Sequence, residues 1–484
     1  MSFDLSAIAV FAAAIGAYWL LPARTRGWAL LIGGGATLFL LQPRLPIRFA
    51  DFVLPTGAVM LTVAGWWWTR APNQPATRQD VLAVAILAGT VLLLALNRYL
   101  PGSARLTPSR PPDMLTLVIG IGASTLALYG VWLLTRRMVS PMARIRPLLL
   151  LIVALFALLK TEVLAIAVAG AWRGLAGQDV TIASALDLNW LGFSYLAFRI
   201  IHTLIDRTSG ILPSLSLRAY AAYALFPPSL VAGPIDRADR FVKDFDALPM
   251  LARFDADRFA RGGARIAMGI FKKFVIADTL SFGLSLNAVN VDQAVGTGAL
   301  WLLLYGYALR LFFDFSGYSD IAIGLGIWLG VKLPENFDRP YLRTTITAFW
   351  QSWHKSLGDW ARFYVFSPLT RAILRRERKP SSAVIVGIGH LATMLTIGLW
   401  HGVTVNFAIW GLWQAAGLYA HKRWSDSTRR WYRKLSETPG RKRAWTLFAW
   451  AITFHYVALG WVWFALPDVG QSIRALGRLL GIGW

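Results

Sequence analysis

Along the first third of the chain, apolar residues fall in six long runs, at 5–21, 27–41, 52–68, 81–96, 114–134 and 147–170. A helix rising 1.5 Å per residue needs about 20 residues to cross a hydrocarbon core of ~30 Å, and these runs approach or reach that length. The segments between them are short and rich in Pro and Arg, such as QPRLPIR and TRRMVSPMARIR, as expected of tight connections between spans. From about residue 186 the texture changes. LGFSYLAFRIIHTLIDR, LFPPSLVAGPIDRADRF and LRLFFDFSGYSDIAIGLG interrupt their apolar runs with Gly, Pro and charge. Such groups persist at membrane depth only when shielded by protein or lining a wet cavity. The pattern predicts an all-α fold, a multi-pass transmembrane helical bundle of about 10–12 spans with re-entrant or interfacial helices around a central cavity. Residues 1–180 read as scaffold helices and 181–484 as the functional body of one integral membrane domain.

Two basic stretches set the expected topology. Residues 370–380 carry Arg371, Arg375, Arg376, Arg378 and Lys379, and residues 421–443 carry nine Lys and Arg. The positive-inside rule places both in the cytoplasm as loops. Between them lie apolar runs at 383–399 and 403–420, so the chain crosses and returns, reversing at Trp400-His401-Gly402. At the other end, the first run has no basic residue before it, and Arg24 and Arg26 follow it. A secretory signal carries its charge ahead of the apolar core. The reading is a retained first span with its N-terminus outside.

A different periodicity marks 346–366, ITAFWQSWHKSLGDWARFYVF. Ile346, Phe349, Trp350, Trp353, Leu357, Trp360 and Tyr364 follow a helical repeat, with Gln351, Lys355, Asp359 and Arg362 on the other side. One amphipathic helix lying along an interface is predicted. His354 falls roughly 80° from the stripe centre, where a side chain can reach into a cleft.

Composition agrees with a membrane protein: of 484 residues, 56% are hydrophobic and 15% charged. The net charge of +24 sits between the apolar runs, where topology asks for it, so no nucleic-acid partner is expected. A few basic residues would meet anionic lipid headgroups. The absence of cysteine removes disulfides, thiol nucleophiles and thiolate metal sites.

The chemistry then rests on six histidines. His421 reads as solvated, and His390 and His455 as packing or pore-lining groups. His202 shares a face with Arg199 and Asp206, which is either a buried polar patch or a site. No HExxH occurs and no carboxylate stands at ligand spacing from His354 or His401, so no metal is expected. No GxSxG elbow occurs either. His401 and His354 are either packed structural groups or general bases; a desolvated imidazole is largely neutral near pH 7, the form that a base requires.

In order across about 190–465, the chain carries LGFSYLAFR, LVAGPIDRADRF, FFDFSGYSDIAIGLG, LPENFDRPYLRTTITAFWQSWHKSLGDWARFYVFSPL, GLWHGVTVNFAIWG and GWVWFAL. Together these resemble the membrane-bound O-acyltransferase family. The resemblance implies that His401, in the WHG motif, is catalytic and that His354, in FW-x-x-WH, is the second essential histidine. Asp314, Asn336 and Asn406 are polar candidates for supporting this centre. No bound cofactor is implied; the acyl donor would be acetyl-CoA or an acyl carrier protein thioester. A periplasmic or extracellular acyltransferase or esterase-like partner would follow, in a bacterial cytoplasmic (inner) membrane. GPIDR and LGFSYLAFR are similar to the D-alanyl-transferring branch, whereas FDFSGYSDIAIGLG and PENFDRPY are similar to the polysaccharide-acetylating branch. That second branch continues its histidine helix into a double glycine, where this chain has Ser367-Pro368-Leu369-Thr370. Acetyl transfer to an envelope polysaccharide is the leading reading, with D-alanyl or another acyl group as the alternative. A secondary transporter is the competing class, since broken helices with buried charges also describe carriers.

Overall fold

The structure is a computed structural model that describes residues 5–70, 74–101, 105, 107–252, 254–378 and 380–482, with side chains from Phe11 onward. Among the described residues the secondary structure is helical, without strands. Among the described residues, six helices are long and apolar enough to span a membrane: 78–99, 114–135, 141–160, 296–329, 382–401 and 439–465. The other apolar runs form shorter, more polar or broken helices, so not every one of the about 10–12 predicted spans is a helix of that length and apolarity among the described residues.

The chain divides into two compact units, one of residues 1–264 with 322–333, the other of 265–321 with 334–484. The first contains α1 (Leu5–Leu20), α2 (Arg26–Leu41), α3 (Ala50–Thr69), α4 (Arg78–Ala95), α5 (Met114–Thr135), α6 (Pro141–Lys160) and α7 (Glu162–Leu175). It continues through α8 (Phe193–Thr208), α9 (Leu217–Ala224) and α10 (Ala238–Ala247). The run at 147–170 is not one helix. It breaks at Thr161, whose extended backbone lies between Lys160 and Glu162. Arg173 and Asp187 form a buried ion pair at 2.6 Å in this unit.

His202 lies in a buried polar patch. It lies within 3.3 Å of the Tyr223 hydroxyl, while Arg199 donates to the carbonyls of Tyr223, Ala224 and Ser229. Asp206 pairs with Arg237 at 3.1 Å. These bonds hold the broken backbone of LFPPSLVAGPIDR, whose carbonyls lack a helical partner.

The second unit takes up α11 (Ala256–Ile270) from residue 265, which runs into a π-helical segment, 271–277, then α12 (Asp278–Ser281), α13 (Asn290–Gln293) and the long α14 (Gly296–Leu329), whose residues from 322 belong to the first unit. Gly317, from FDFSGYSD, lies so close to the preceding helix that an added Cβ would meet the carbonyl of Gly269 at 2.8 Å. Then follow α15 (Ile346–Trp350), α16 (Lys355–Ala361), a second π-helical segment at 362–366, α17 (Ser367–Leu374), α18 (Ser382–His401), α19 (Val405–Ser427), α20 (Arg429–Ser436), α21 (Pro439–Ala465) and α22 (Val469–Leu479).

Four expectations are corrected in this unit. The helix predicted over 346–366 is broken at 351–354, where the backbone leaves the helical path to place His354. The stretch 421–443 is not a loop: α19 continues to Ser427, α20 turns back, and Trp424, Trp431 and Trp445 pack together at the bend, with Trp431 and Trp445 centroids 4.9 Å apart. His421 is correspondingly not simply solvated; Thr347 bonds its Nδ1 at 2.9 Å. The first part of 370–380 is likewise helical, and Lys379 lies outside the described residues. His455 packs and bonds as expected, between the Tyr305 hydroxyl at 2.9 Å and the Ala451 carbonyl at 2.7 Å.

Candidate active site

The α18–α19 hairpin places His401. The reversal comes at 402–404, just past the residues expected, and Thr404 caps α19 by accepting the Phe407 N–H at 3.3 Å. Two glycines bring the helices together, since a Cβ on Gly411 would meet the Met394 carbonyl at 2.8 Å. His401 is therefore the last residue of α18, ringed by Trp400, Phe407, Trp410 and Phe464 with centroids 4.4–5.9 Å away.

His354 arrives from a different direction. It precedes α16 with φ 44 and ψ 52, in the left-handed region, a conformation that costs a side-chain-bearing residue ~1–2 kcal/mol. Asn336 holds the turn. Its carbonyl accepts the Lys355 N–H at 2.9 Å, and its side-chain oxygen accepts the Ser356 hydroxyl at 2.6 Å and the Ser356 N–H at 3.3 Å. Its amide nitrogen donates to Ser319 at 3.2 Å, tying the turn to α14. The Asp338 N–H to Ser352 carbonyl bond closes the other side of the loop at 3.0 Å.

Both histidines line one cleft of about 40 Å³ in the second unit. Its remaining walls include Leu311, Phe315, Trp350, Trp353, Ile397 and Trp410. Space on this scale admits one small group and no bulk water. Trp400 bridges the pair, lying 4.4 Å from His401 and 6.1 Å from His354 between ring centroids. His354 is 4% exposed, and among the described residues neither of its ring nitrogens has a hydrogen-bond partner. Burial lowers its basicity, so the ring is neutral at physiological pH. Leaving two buried polar nitrogens unpaired costs ~1–3 kcal/mol each, which a packing residue would not incur.

The supporting groups divide. Asn336 reaches the His354 turn directly. Asp314 does not line the cleft and pairs with Lys273 at 3.1 Å. Asn406 is buried but donates to the Leu466 carbonyl at 2.6 Å and to Ser472 at 3.1 Å, fastening α19 to the start of α22. Gln414 escaped notice in the sequence. It is fully buried and accepts the Trp350 indole N–H at 3.2 Å, fixing one wall of the cleft. The signal was present: Asn406, Trp410 and Gln414 recur every four residues along one face of α19.

A helical membrane bundle with a buried and a half-buried histidine on one apolar cleft defines a class, and residues 143–462 match the model of the membrane-bound O-acyltransferase family. The chain belongs to that family and is a membrane protein. It is 34% identical over 298 residues to a Pseudomonas syringae protein named "Probable alginate O-acetylase AlgI", covering 60% of this chain and 52% of that one. It is 32% identical over 282 residues to the teichoic acid D-alanyltransferase of Bacillus subtilis, covering 57% of this chain and 69% of that one. A peptidoglycan O-acetyltransferase of Helicobacter pylori is 30% identical over 266 residues, covering 54% of this chain and 46% of that one. The chain thus spans about half the length of the alginate relative.

Proposed function

We propose that this chain is an O-acyltransferase that moves an acyl group, acetyl foremost, from a cytoplasmic thioester to hydroxyls of an extracytoplasmic envelope polysaccharide. The observation that carries the reading is the orphaned, neutral His354 facing the same small cleft as His401. In this reading His401 takes the proton of the acceptor hydroxyl as its oxygen attacks the thioester carbonyl carbon. The carbonyl oxygen gains the negative charge, which an N–H of His354 stabilises. Collapse of the tetrahedral species breaks the C–S bond, and the proton on His401 passes to the leaving thiolate. The products are the ester and the free thiol, and both histidines end neutral.

The donor is acetyl-CoA or a carrier-protein thioester, drawn by the arginines of 371–378 and 422–443, and the acceptor side works with a periplasmic esterase-like partner. Residues 181–484 carry the chemistry and 1–180 the supporting helices, in the cytoplasmic membrane of a bacterium. The cleft's volume supports the acetyl group; the likeness to the Bacillus D-alanyltransferase supports the alternative acyl group.

The test compares substitutions at equal protein level, scored as ester-linked acyl group per unit of polymer. His354→Asn keeps a residue that tolerates the left-handed backbone, and it should lower acylation by at least ~10²-fold, as should His401→Ala. Lys355→Ala should lower it far less. Equal and mild effects at 354 and 355 would sink the two-histidine mechanism.

A further inference from the structure

Outside the cleft, and ahead of the residues that match the family, the first unit holds an open pocket of about 520 Å³ at the start of α3 and the end of α4. Arg48, Arg98, Arg105 and Arg110 line it, around the ring of Phe49. All four are exposed, and among the described residues none of them forms an ion pair. Of the carboxylates nearby, Asp51 is buried and accepts the backbone N–H of Arg110 at 3.3 Å, and the Asp113 carboxylate accepts the Thr116 N–H and hydroxyl at 2.9 and 2.6 Å. The rim is built rather than loose. Asn97, 1% exposed, donates to the carbonyls of Thr107 and Ser109 at 3.0 and 3.2 Å, and the Thr107 and Ser109 hydroxyls bond at 2.7 Å. Arg98 is fixed over Phe49 and donates to the Pro111 carbonyl at 3.1 Å.

Topology does not explain this charge. A second arginine-lined pocket, with Arg70, Arg136, Arg144 and Arg207, lies at the far end of α5. The 22-residue helix α5 begins just after Pro111 and is a candidate span, so ~33 Å separates its two ends. The positive-inside rule accounts for one cluster only. With the N-terminus outside, the 48–110 pocket is the unexplained one.

We propose that this pocket binds the phosphate of an anionic phospholipid. Guanidinium groups match phosphate geometry, and the pocket borders the apolar surface where acyl chains would lie. Leu93 and Leu96 on the α4 side, and Leu115, Val118 and Ile119 on α5, are exposed beside it. The site recognises headgroup charge and tail together, which a soluble anion does not offer.

The experiment uses the full chain in phosphatidylcholine nanodiscs containing a minor share of spin-labelled phosphatidylglycerol, reading the immobilised fraction. Arg48→Gln/Arg98→Gln/Arg110→Gln should weaken association by roughly a hundredfold, and Arg98→Gln alone by roughly fivefold. Excess inorganic phosphate should displace the lipid poorly. Unchanged immobilisation in both variants would overturn the site. Displacement by inorganic phosphate, or by a uronate oligosaccharide, at concentrations matching the lipid would overturn its assignment to lipid.

Discussion

At residue scale, His354 combines two costs that packing alone does not explain, a left-handed backbone and a buried imidazole whose nitrogens have no hydrogen-bond partner among the described residues. Glycine adopts that backbone freely, so His354→Gly separates fold from chemistry. Its melting temperature should equal or exceed the parent's, while acylation is lost and is partly restored by added imidazole, which fits the vacated space. A variant that melts early and ignores imidazole would make the residue structural. Asn336 bonds the turn that carries His354, so in the proposed mechanism it would act as a positioning residue. Asn336→Ala strands the buried Ser356 hydroxyl, costing ~1–3 kcal/mol, and releases the His354 turn. The expected result is a fall in kcat with little change in donor KM, and recovery in part with Asn336→Asp. A change confined to protein abundance would deny it a positioning role.

At the scale of elements, the cleft depends on how closely α18 and α19 approach. Ile397 and Trp410 stand on opposite sides of that contact, and Gly411 lets the backbones touch. Gly411→Val should therefore push Trp410 away and reduce both membrane-inserted protein and activity. The neighbouring turn is set by capping rather than by the histidine. Thr404→Ala should lower stability by ~1 kcal/mol through loss of the cap, whereas His401→Ala leaves the protein folded and inserted. Protease resistance in membranes, measured for the two side by side, checks this. Loss of resistance in His401→Ala alone would return that residue to a packing role.

For the whole molecule, the distribution of basic residues makes the topological prediction. The nine Lys and Arg between 422 and 443 should keep the α19–α21 bend in the cytoplasm. The chain has no cysteine, so a single exposed one introduced at Ser427 reports its side directly. It should react with an impermeant maleimide only after cells are opened. Labelling of intact cells would reverse the orientation of the last spans, and with it the side on which the thioester donor is expected.

Helical class, the α18–α19 hairpin and the choice of 354 and 401 as candidates were legible in the sequence, because span-length apolar runs leave a chain in lipid few alternatives and because ionisable groups there need a reason. The structure alone decided where periodicity gives way. The aromatic stripe of 346–366 satisfies a single helix locally, yet Asn336, separated from Ser356 by twenty residues, offers bonds that stabilise the break. The roles of Asp314 and Asn406 were also decided at distance, by Lys273 and by Leu466 with Ser472. Local pattern reports the burial that a segment needs; which polar partner arrives from elsewhere in the chain is a tertiary outcome, and it is the partner that aims the side chain.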